Sequence, residues 1–207
     1  MTPEPVARRV SAWNIANYLT VLRLALVPVF GYLLLAHDGA PDAFRWAAWL
    51  TFAIAMLTDR IDGDLARSRG LVTDFGKVVD PIADKALVTM ALVGLSLLAE
   101  VPWWVTVVVL VREWGITLLR LWVIRHGVIA ADRGGKLKTL VQAVALLLLL
   151  LPREVLPLSA LWTGAAWIAL VLAVIVTVVT GVNYVIAALR LRATSDRTRA
   201  KRGVGES

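Results

Sequence analysis

Asp59-Arg60-Ile61-Asp62-Gly63-Asp64-Leu65-Ala66-Arg67 is followed closely by Gly76-Lys77-Val78-Val79-Asp80-Pro81-Ile82-Ala83-Asp84. Apolar sequence surrounds both stretches: residues 43–58 lead into the first, and residues 86–99 follow the second. An ionised carboxylate at the middle of a membrane helix costs about 2.5–3.5 kcal/mol on insertion scales. Acids gathered in such surroundings persist where something strongly cationic holds them.

The spacing indicates how they are held. On an α-helix, positions i, i+3, i+4 and i+7 share one face. Asp59, Asp62, Gly63 and Ala66 fit that template, and Gly76, Asp80 and Asp84 follow at i, i+4 and i+8. The turn Ser68-Arg69-Gly70-Leu71-Val72-Thr73 is short, so the two helices are expected to be antiparallel neighbours with four carboxylates facing one cavity. Hard oxygen donors without His or Cys point to Mg²⁺ or Mn²⁺ rather than zinc. Four carboxylates suit a pair of ions about 3.5–4 Å apart, which would stabilise phosphoryl oxygens and a leaving group.

Gly63, Ala66 and Gly76 leave that face bare for a bulky ligand, and Arg67, one turn beyond Gly63, has the fork to grip a phosphate. Interfacial salt bridges are the plainer alternative, since Lys77 lies three residues before Asp80. Such pairs account for one or two acids but not for the bare surface beside them. Asp64 and Asp74 fall off the shared face and read as capping or solvated residues.

Outward from this cluster, the 207-residue chain is 59% hydrophobic and 18% charged. Long apolar runs recur from residue 15 to residue 190, of the length that a hydrocarbon core of ~30 Å asks of a helix. The predicted fold is an all-α integral membrane protein with six transmembrane helices around a polar cavity open to the cytoplasmic side. The helices are expected over 13–36, 43–67, 74–99, 103–125, 136–151 and 159–191. Residues 1–12 form a cytoplasmic amino-terminal segment without the features of a signal peptide. Residues 192–207 are polar and basic and are expected to be disordered. There is no cysteine, which excludes disulfides and thiolate metal sites.

The net charge of +7 suggests nucleic-acid binding, but its distribution argues against it. Arg8, Arg9, Arg60, Arg67, Arg69, Lys77, Lys85, Arg120, Arg125, Arg133, Lys136, Lys138 and the basic residues from Arg190 to Arg202 all fall on one side of the expected topology. The opposite loops and their flanks hold only Arg45 and Arg153. That asymmetry places both termini and the aspartates on the cytoplasmic side of the membrane. Trp46, Trp49, Trp103, Trp104 and Trp162 then lie near the outer helix ends as an aromatic belt. His37 and His126 sit in loops with no catalytic claim.

Asp59-x-x-Asp62-Gly63-x-x-Ala66-Arg67 with Gly76-x-x-x-Asp80-x-x-x-Asp84 resembles, at every position, the signature of the CDP-alcohol phosphatidyltransferases. The resemblance implies a six-helix membrane enzyme spanning 13–191, a homodimer, that displaces CMP from a CDP-linked lipid with an alcohol. It implies that Asp59, Asp62 and Asp80 bind two divalent cations and that Asp84 both touches a metal and acts as the base. Gly63, Ala66, Arg67 and Gly76 would bind the CDP moiety.

Three further segments bear on the acceptor. Asn14-Ile15-Ala16-Asn17-Tyr18-Leu19-Thr20-Val21-Leu22-Arg23, Arg112-Glu113-Trp114-Gly115-Ile116-Thr117-Leu118-Leu119-Arg120 and Gly134-Gly135-Lys136-Leu137-Lys138-Thr139 resemble segments of the phosphatidylglycerolphosphate synthases within this family. That likeness implies CDP-diacylglycerol and glycerol 3-phosphate as substrates, in the inner (cytoplasmic) membrane.

A dianionic acceptor needs a cationic pocket. Arg112 lies too deep in its helix to snorkel comfortably, and Lys136 and Lys138 stand at a helix start where backbone N–H groups favour an anion. Each has a second reading: for Arg112 an ion pair with an aspartate of the cluster, for the lysines ordinary topogenic charge. Glu113 is expected to pair with Arg120, two turns away. Asn17, Thr20 and Arg23 either line the CDP-lipid entrance or form interhelical hydrogen bonds.

The same fold would also serve a cardiolipin synthase or a phosphatidylinositol phosphate synthase. A cation transporter fits poorly, since transporter sites lie near the midplane, often between repeats, and no repeat is evident here.

Overall fold

The computed structural model describes the backbone of residues 15–68, 73–123 and 133–204, and side chains for residues 15, 17–58, 73, 79–119 and 137–190. Its described residues contain six α-helices and no strand: α1 Ile15–Leu35, α2 Ala43–Ser68, α3 Asp74–Leu97, α4 Trp103–Val123, α5 Arg133–Leu150 and α6 Ser159–Val204. The first four agree with expectation to within two residues at each end.

The last two helices differ. α5 begins at Arg133, so Gly134 and Gly135, expected in a loop, lie in its first turn. Their cost of about 1 kcal/mol each is spread over a helix whose apolar run carries it. α6 continues through the basic segment to Val204, where a disordered tail was expected. No Gly or Pro interrupts residues 182–202, and the Ala and Arg that recur there are strong helix formers. Composition alone hid that continuity.

α1, over Asn17–Gly39 with its short continuation, and α6, over Ser159–Arg190, are long and apolar enough to cross a bilayer. Shorter apolar stretches cover Ala43–Thr58 in α2 and Leu137–Leu150 in α5. On α6, Ile168, Val171, Leu172, Ile175 and Val179 are exposed, a surface that suits lipid rather than water.

The described residues form two compact units, one within Met1–Gly94 with Leu150–Pro152, the other within Leu95–Leu149 and Arg153–Ser207. In the first unit, α1 packs antiparallel to α2 and parallel to α3. Phe30 of α1 meets Phe52 of α2 with ring centroids 5.6 Å apart, and Tyr32 meets Phe44 farther toward the other end. Gly31 lies under Met90 and Gly94 under Leu34, so each glycine leaves room for a larger side chain of the other helix. Phe30, Leu34, Phe52, Leu87 and Ala91 form the core.

Asp42 caps α2, accepting hydrogen bonds from the amides of Phe44 (2.8 Å) and Arg45 (3.2 Å), while its other oxygen meets His37 at 2.6 Å. The His37 bond, and then the backbone bonds, hold the Asp42 carboxyl below its ordinary value of 3.8. A depressed folded value means that its support for folding is present above 3.8 and fades as pH falls through the lower value.

In the second unit, α4 and α6 pack together. Val105 and Val109 are buried on α4, Ala145, Leu146 and Leu149 on α5, and Ala166, Leu170 and Ala173 on α6. Ser96 and Thr106 share a buried hydrogen bond of 2.7 Å across the α3–α4 turn.

Arg45 and Arg153, expected as charges of the outward loops, are both buried. In the first unit, Arg45 Nε donates to the Leu150 carbonyl at 2.9 Å. In the second, Arg153 Nη1 donates to the carbonyls of Leu148 (3.0 Å) and Leu149 (2.5 Å), and Nη2 to Glu100 Oε2 at 3.2 Å. The last carbonyls of a helix lack intrahelical partners and carry partial negative charge. An arginine placed there satisfies both needs.

Arg153→Met should therefore lower stability by about 2–3 kcal/mol, the range for hydrogen bonds to a charged group. Thermal unfolding in detergent reads this, and substrate KM values should stay unchanged.

Candidate active site

α1 and α3 bring polar residues together along their shared side. Asn17 Nδ2 donates to Thr73 Oγ1 at 2.8 Å, and the Thr73 hydroxyl returns a bond to Asn17 Oδ1 at 3.0 Å. Thr20 Oγ1 donates to Asp80 Oδ1. Arg23 Nη1 pairs with Asp84 Oδ1 at 2.8 Å. The spacing 17, 20, 23 on α1 keeps these residues near one face, and Asp80 and Asp84 lie one turn apart on α3.

Of the two readings of Asn17, Thr20 and Arg23, the structure shows interhelical hydrogen bonds. Their partners give those bonds a further meaning, because two of the three end on the expected metal-binding acids. Arg23 is buried, with 2% of its side chain exposed, whereas Asp84 keeps 44%. A guanidinium so enclosed is tolerable because it is paired and hydrogen-bonded. It fixes the Asp84 carboxylate from behind while that carboxylate still meets solvent or ligand.

α2 carries Asp59, Asp62, Gly63, Ala66 and Arg67 in its carboxy-terminal part, and α3 carries Gly76 in its first turn. The side chains of these residues, and of Lys136, lie outside the described residues, as do Lys77, the expected alternative partner of Asp80, and His126. Asp80 and Asp84 supply hard oxygen donors, oriented by a hydroxyl and a guanidinium, in a chain without cysteine. That donor chemistry fits Mg²⁺ or Mn²⁺.

A second polar cluster lies in the other unit, among α4, α5 and α6. Arg112 Nη1 and Lys138 Nζ both contact Glu113 Oε1, at 3.0 and 2.5 Å. Arg112 Nη2 donates to Thr180 Oγ1 at 3.0 Å, and the Arg112 stem runs against Gly181. Gln142, one turn beyond Lys138 on α5, is 5% exposed, and neither its amide nitrogen nor its oxygen has a partner among the described residues. The Arg112 Nε is likewise buried without a partner there.

Within its own unit, Arg112 pairs with Glu113. The Glu113 pairing expected with Arg120 is made with Arg112 and Lys138; the Arg120 side chain lies outside the described residues. Sequence reading missed Gln142 and Thr180. An acid in the middle of an apolar helix beside an arginine signals a paired cluster, but its distant partner on α5 is visible only after folding.

A family model for CDP-alcohol phosphatidyltransferase matches residues 13–195. The chain belongs to that family. It is similar to a probable phosphatidylglycerophosphate synthase of Mycobacterium tuberculosis, at 54% identity over 89% of this chain and 86% of that protein. It is also similar to a CDP-diacylglycerol–glycerol-3-phosphate 3-phosphatidyltransferase of Bacillus subtilis, at 39% identity over 83% of this chain and 93% of that one. A CMP-forming cardiolipin synthase of Streptomyces coelicolor is 36% identical over a shorter region, 55% of this chain and 53% of its own.

Family membership makes the chain a phosphatidyltransferase. If Asp80 holds a metal, as the signature leads one to expect, Thr20 positions that carboxylate. Outer partners of this kind are worth about 10–100-fold in metal affinity or activity. Thr20→Val keeps shape and removes the donor, so it should raise the Mg²⁺ concentration for half-maximal activity by about 10-fold or more. Thr20→Ser should restore it. A loss of activity with no shift in metal requirement would mean that Thr20 serves packing alone.

Proposed function

We infer that this enzyme transfers the phosphatidyl group of CDP-diacylglycerol to sn-glycerol 3-phosphate, giving phosphatidylglycerol phosphate and CMP. The observation that carries the acceptor assignment is the pair Arg112 and Lys138, gathered on one carboxylate among α4 and α5. Two cations within reach of one oxygen match a phosphomonoester, and the similarity to phosphatidylglycerophosphate synthases over most of the chain agrees.

Asp59, Asp62, Asp80 and Asp84 would hold two divalent cations, Mg²⁺ or Mn²⁺, which would supply charge neutralisation for the pyrophosphate and the departing CMP. Gly63, Ala66 and Gly76 leave space for the nucleotide, and Arg67 holds a phosphate. Asp84 takes the proton from the 1-hydroxyl of glycerol 3-phosphate. The hydroxyl oxygen then bonds to the phosphorus that bears diacylglycerol, and the bond from that phosphorus to the bridging pyrophosphate oxygen breaks. Arg112 and Lys138, with Lys136 beside them in sequence, orient the acceptor phosphate. Positioning and electrostatics carry most of the rate in such chemistry.

The six helices would span the cytoplasmic membrane as a homodimer, with the polar cavity and both termini on the cytoplasmic side. The asymmetry of lysine and arginine supports that orientation. The domain is taken as 13–191 with a short segment before it and a basic one after it, and family resemblance supports the dimer.

The test is CMP release by purified protein from CDP-diacylglycerol with Mg²⁺ or Mn²⁺, against a panel of acceptors. Product with glycerol 3-phosphate, abolished by chelation, is expected. Turnover with phosphatidylglycerol but none with glycerol 3-phosphate would replace this acceptor by that of a cardiolipin synthase.

A further inference from the structure

Gln142 follows Lys138 by four residues on α5, so the two share a helix face one turn apart. Lys138 directs its ammonium to Glu113. Gln142 is buried, and neither its amide nitrogen nor its oxygen has a partner among the described residues. Buried polar groups of folded proteins are nearly always hydrogen-bonded, so an unpaired amide marks a place that a ligand or an ordered water completes. On α6, Thr177 stands one turn from Thr180, the residue that receives Arg112, and its fully buried hydroxyl is likewise unpartnered there. Two orphaned side chains on two helices thus each lie one turn from a member of the cation cluster.

The amide restricts what it can take, because its nitrogen donates and its oxygen accepts. An ionised phosphate offers acceptors alone. It satisfies the nitrogen, and the buried Arg112 Nε, but never the Gln142 oxygen. A hydroxyl both donates and accepts, and it satisfies the two amide atoms together.

We propose that Gln142 is a specificity-determining residue that binds the secondary hydroxyl of glycerol 3-phosphate. The proposal rests on the acceptor reading of Arg112 and Lys138, which places the phosphate one turn away along α5. A turn of helix rises about 5.4 Å, and the hydroxyl on the carbon next to the phosphate ester lies within that reach of the phosphorus. Held by the amide at both its hydrogen and its oxygen, the secondary hydroxyl is engaged, and the primary hydroxyl is the one left to react. Gln142 therefore selects a phosphorylated diol as acceptor and decides which of its two hydroxyls attacks.

The experiment compares sn-glycerol 3-phosphate with 3-hydroxypropyl phosphate, which lacks only the secondary hydroxyl, as acceptors for wild-type enzyme and Gln142→Met. A site built to hydrogen-bond a substrate hydroxyl rejects the analogue without it, so wild type should favour glycerol 3-phosphate by about 100-fold or more in kcat/KM. Gln142→Met keeps the length of the side chain and removes both polar atoms, so it should narrow that ratio to about fivefold or less, chiefly by losing activity toward glycerol 3-phosphate. Its melting temperature in detergent should equal or exceed that of wild type, because two unpaired buried groups are gone. Wild type should also be protected against thermal unfolding more by glycerol 3-phosphate than by the analogue, a readout that needs no variant and no turnover.

A Gln142→Met protein that melts lower than wild type and keeps its acceptor ratio would make Gln142 a water-bridged link between helices and overturn the proposal. Wild-type enzyme that uses the two acceptors alike would overturn it as well, and would leave the acceptor reading standing. If Gln142→Met does not fold, equal protection of wild type by the two phosphates overturns the proposal. Wild-type enzyme that releases CMP with neither phosphate would remove the acceptor reading itself, and Gln142's role with it.

Discussion

Asp84→Asn should reduce CMP release by about 10³-fold or more while the protein stays folded. Asparagine keeps the volume of aspartate and one oxygen that can still accept from Arg23, so the α1–α3 contact survives in reduced form. On the proposed role of Asp84, what it loses is the capacity to take a proton from an alcohol, together with a charge that would stand beside a metal. General-base catalysis contributes typically 10²–10⁴-fold, and the lost metal contact adds to that.

Asp80→Asn is the companion measurement. On the proposed roles, it removes a metal-binding charge, here held by Thr20, but no base. Higher Mg²⁺ should recover part of its activity, whereas no metal concentration should recover Asp84→Asn. If Asp84→Asn retains more than a tenth of wild-type turnover, another group takes the proton. If both variants respond alike to metal, the distinction between ligand and base falls.

The acids could be read from the chain because their reasons are local. A carboxylate in an apolar run is energetically conspicuous, and the spacing of Asp80 and Asp84 puts them one turn apart on α3. The helix order was legible for the same reason, since apolar length and Pro-Gly punctuation recur along the sequence. What Thr20 and Arg23 touch was not local. Period and polarity put them on one side of α1, but that α1 runs parallel to α3, with Arg23 level with Asp84, depends on how three helices pack.

Arg45 and Arg153 show the same limit from the other direction. Counting charges placed them with the outward loops and their flanks. Their burial on the carbonyls of Leu148, Leu149 and Leu150 follows from the unpaired end of α5, and no window of sequence around either arginine contains that partner for Arg45. α6 was misjudged by composition: a basic segment looks disordered until its unbroken helix-forming character is weighed.

Arg112→Gln and Lys138→Met should each raise the KM for glycerol 3-phosphate by about 10–100-fold, because each removes a charge-assisted hydrogen bond worth about 1.5–3 kcal/mol. The KM for CDP-diacylglycerol should change by no more than about twofold, since uniform binding of one substrate alone is lost on the proposed assignment. Lys138 is chosen over Lys136 on geometry. It shares Glu113 with Arg112, whereas Lys136 is half a turn away on α5, so Lys136→Met should have the smaller effect.

The structural alternative makes a different forecast. If Arg112 and Lys138 exist to neutralise Glu113 and join α4 to α5, each variant leaves a carboxylate with one partner fewer, stability falls, and both KM values stay near wild type. Thermal unfolding and the two KM values together separate these cases. A pocket that binds phosphate loses affinity for one substrate alone, and a clamp loses stability without that selectivity.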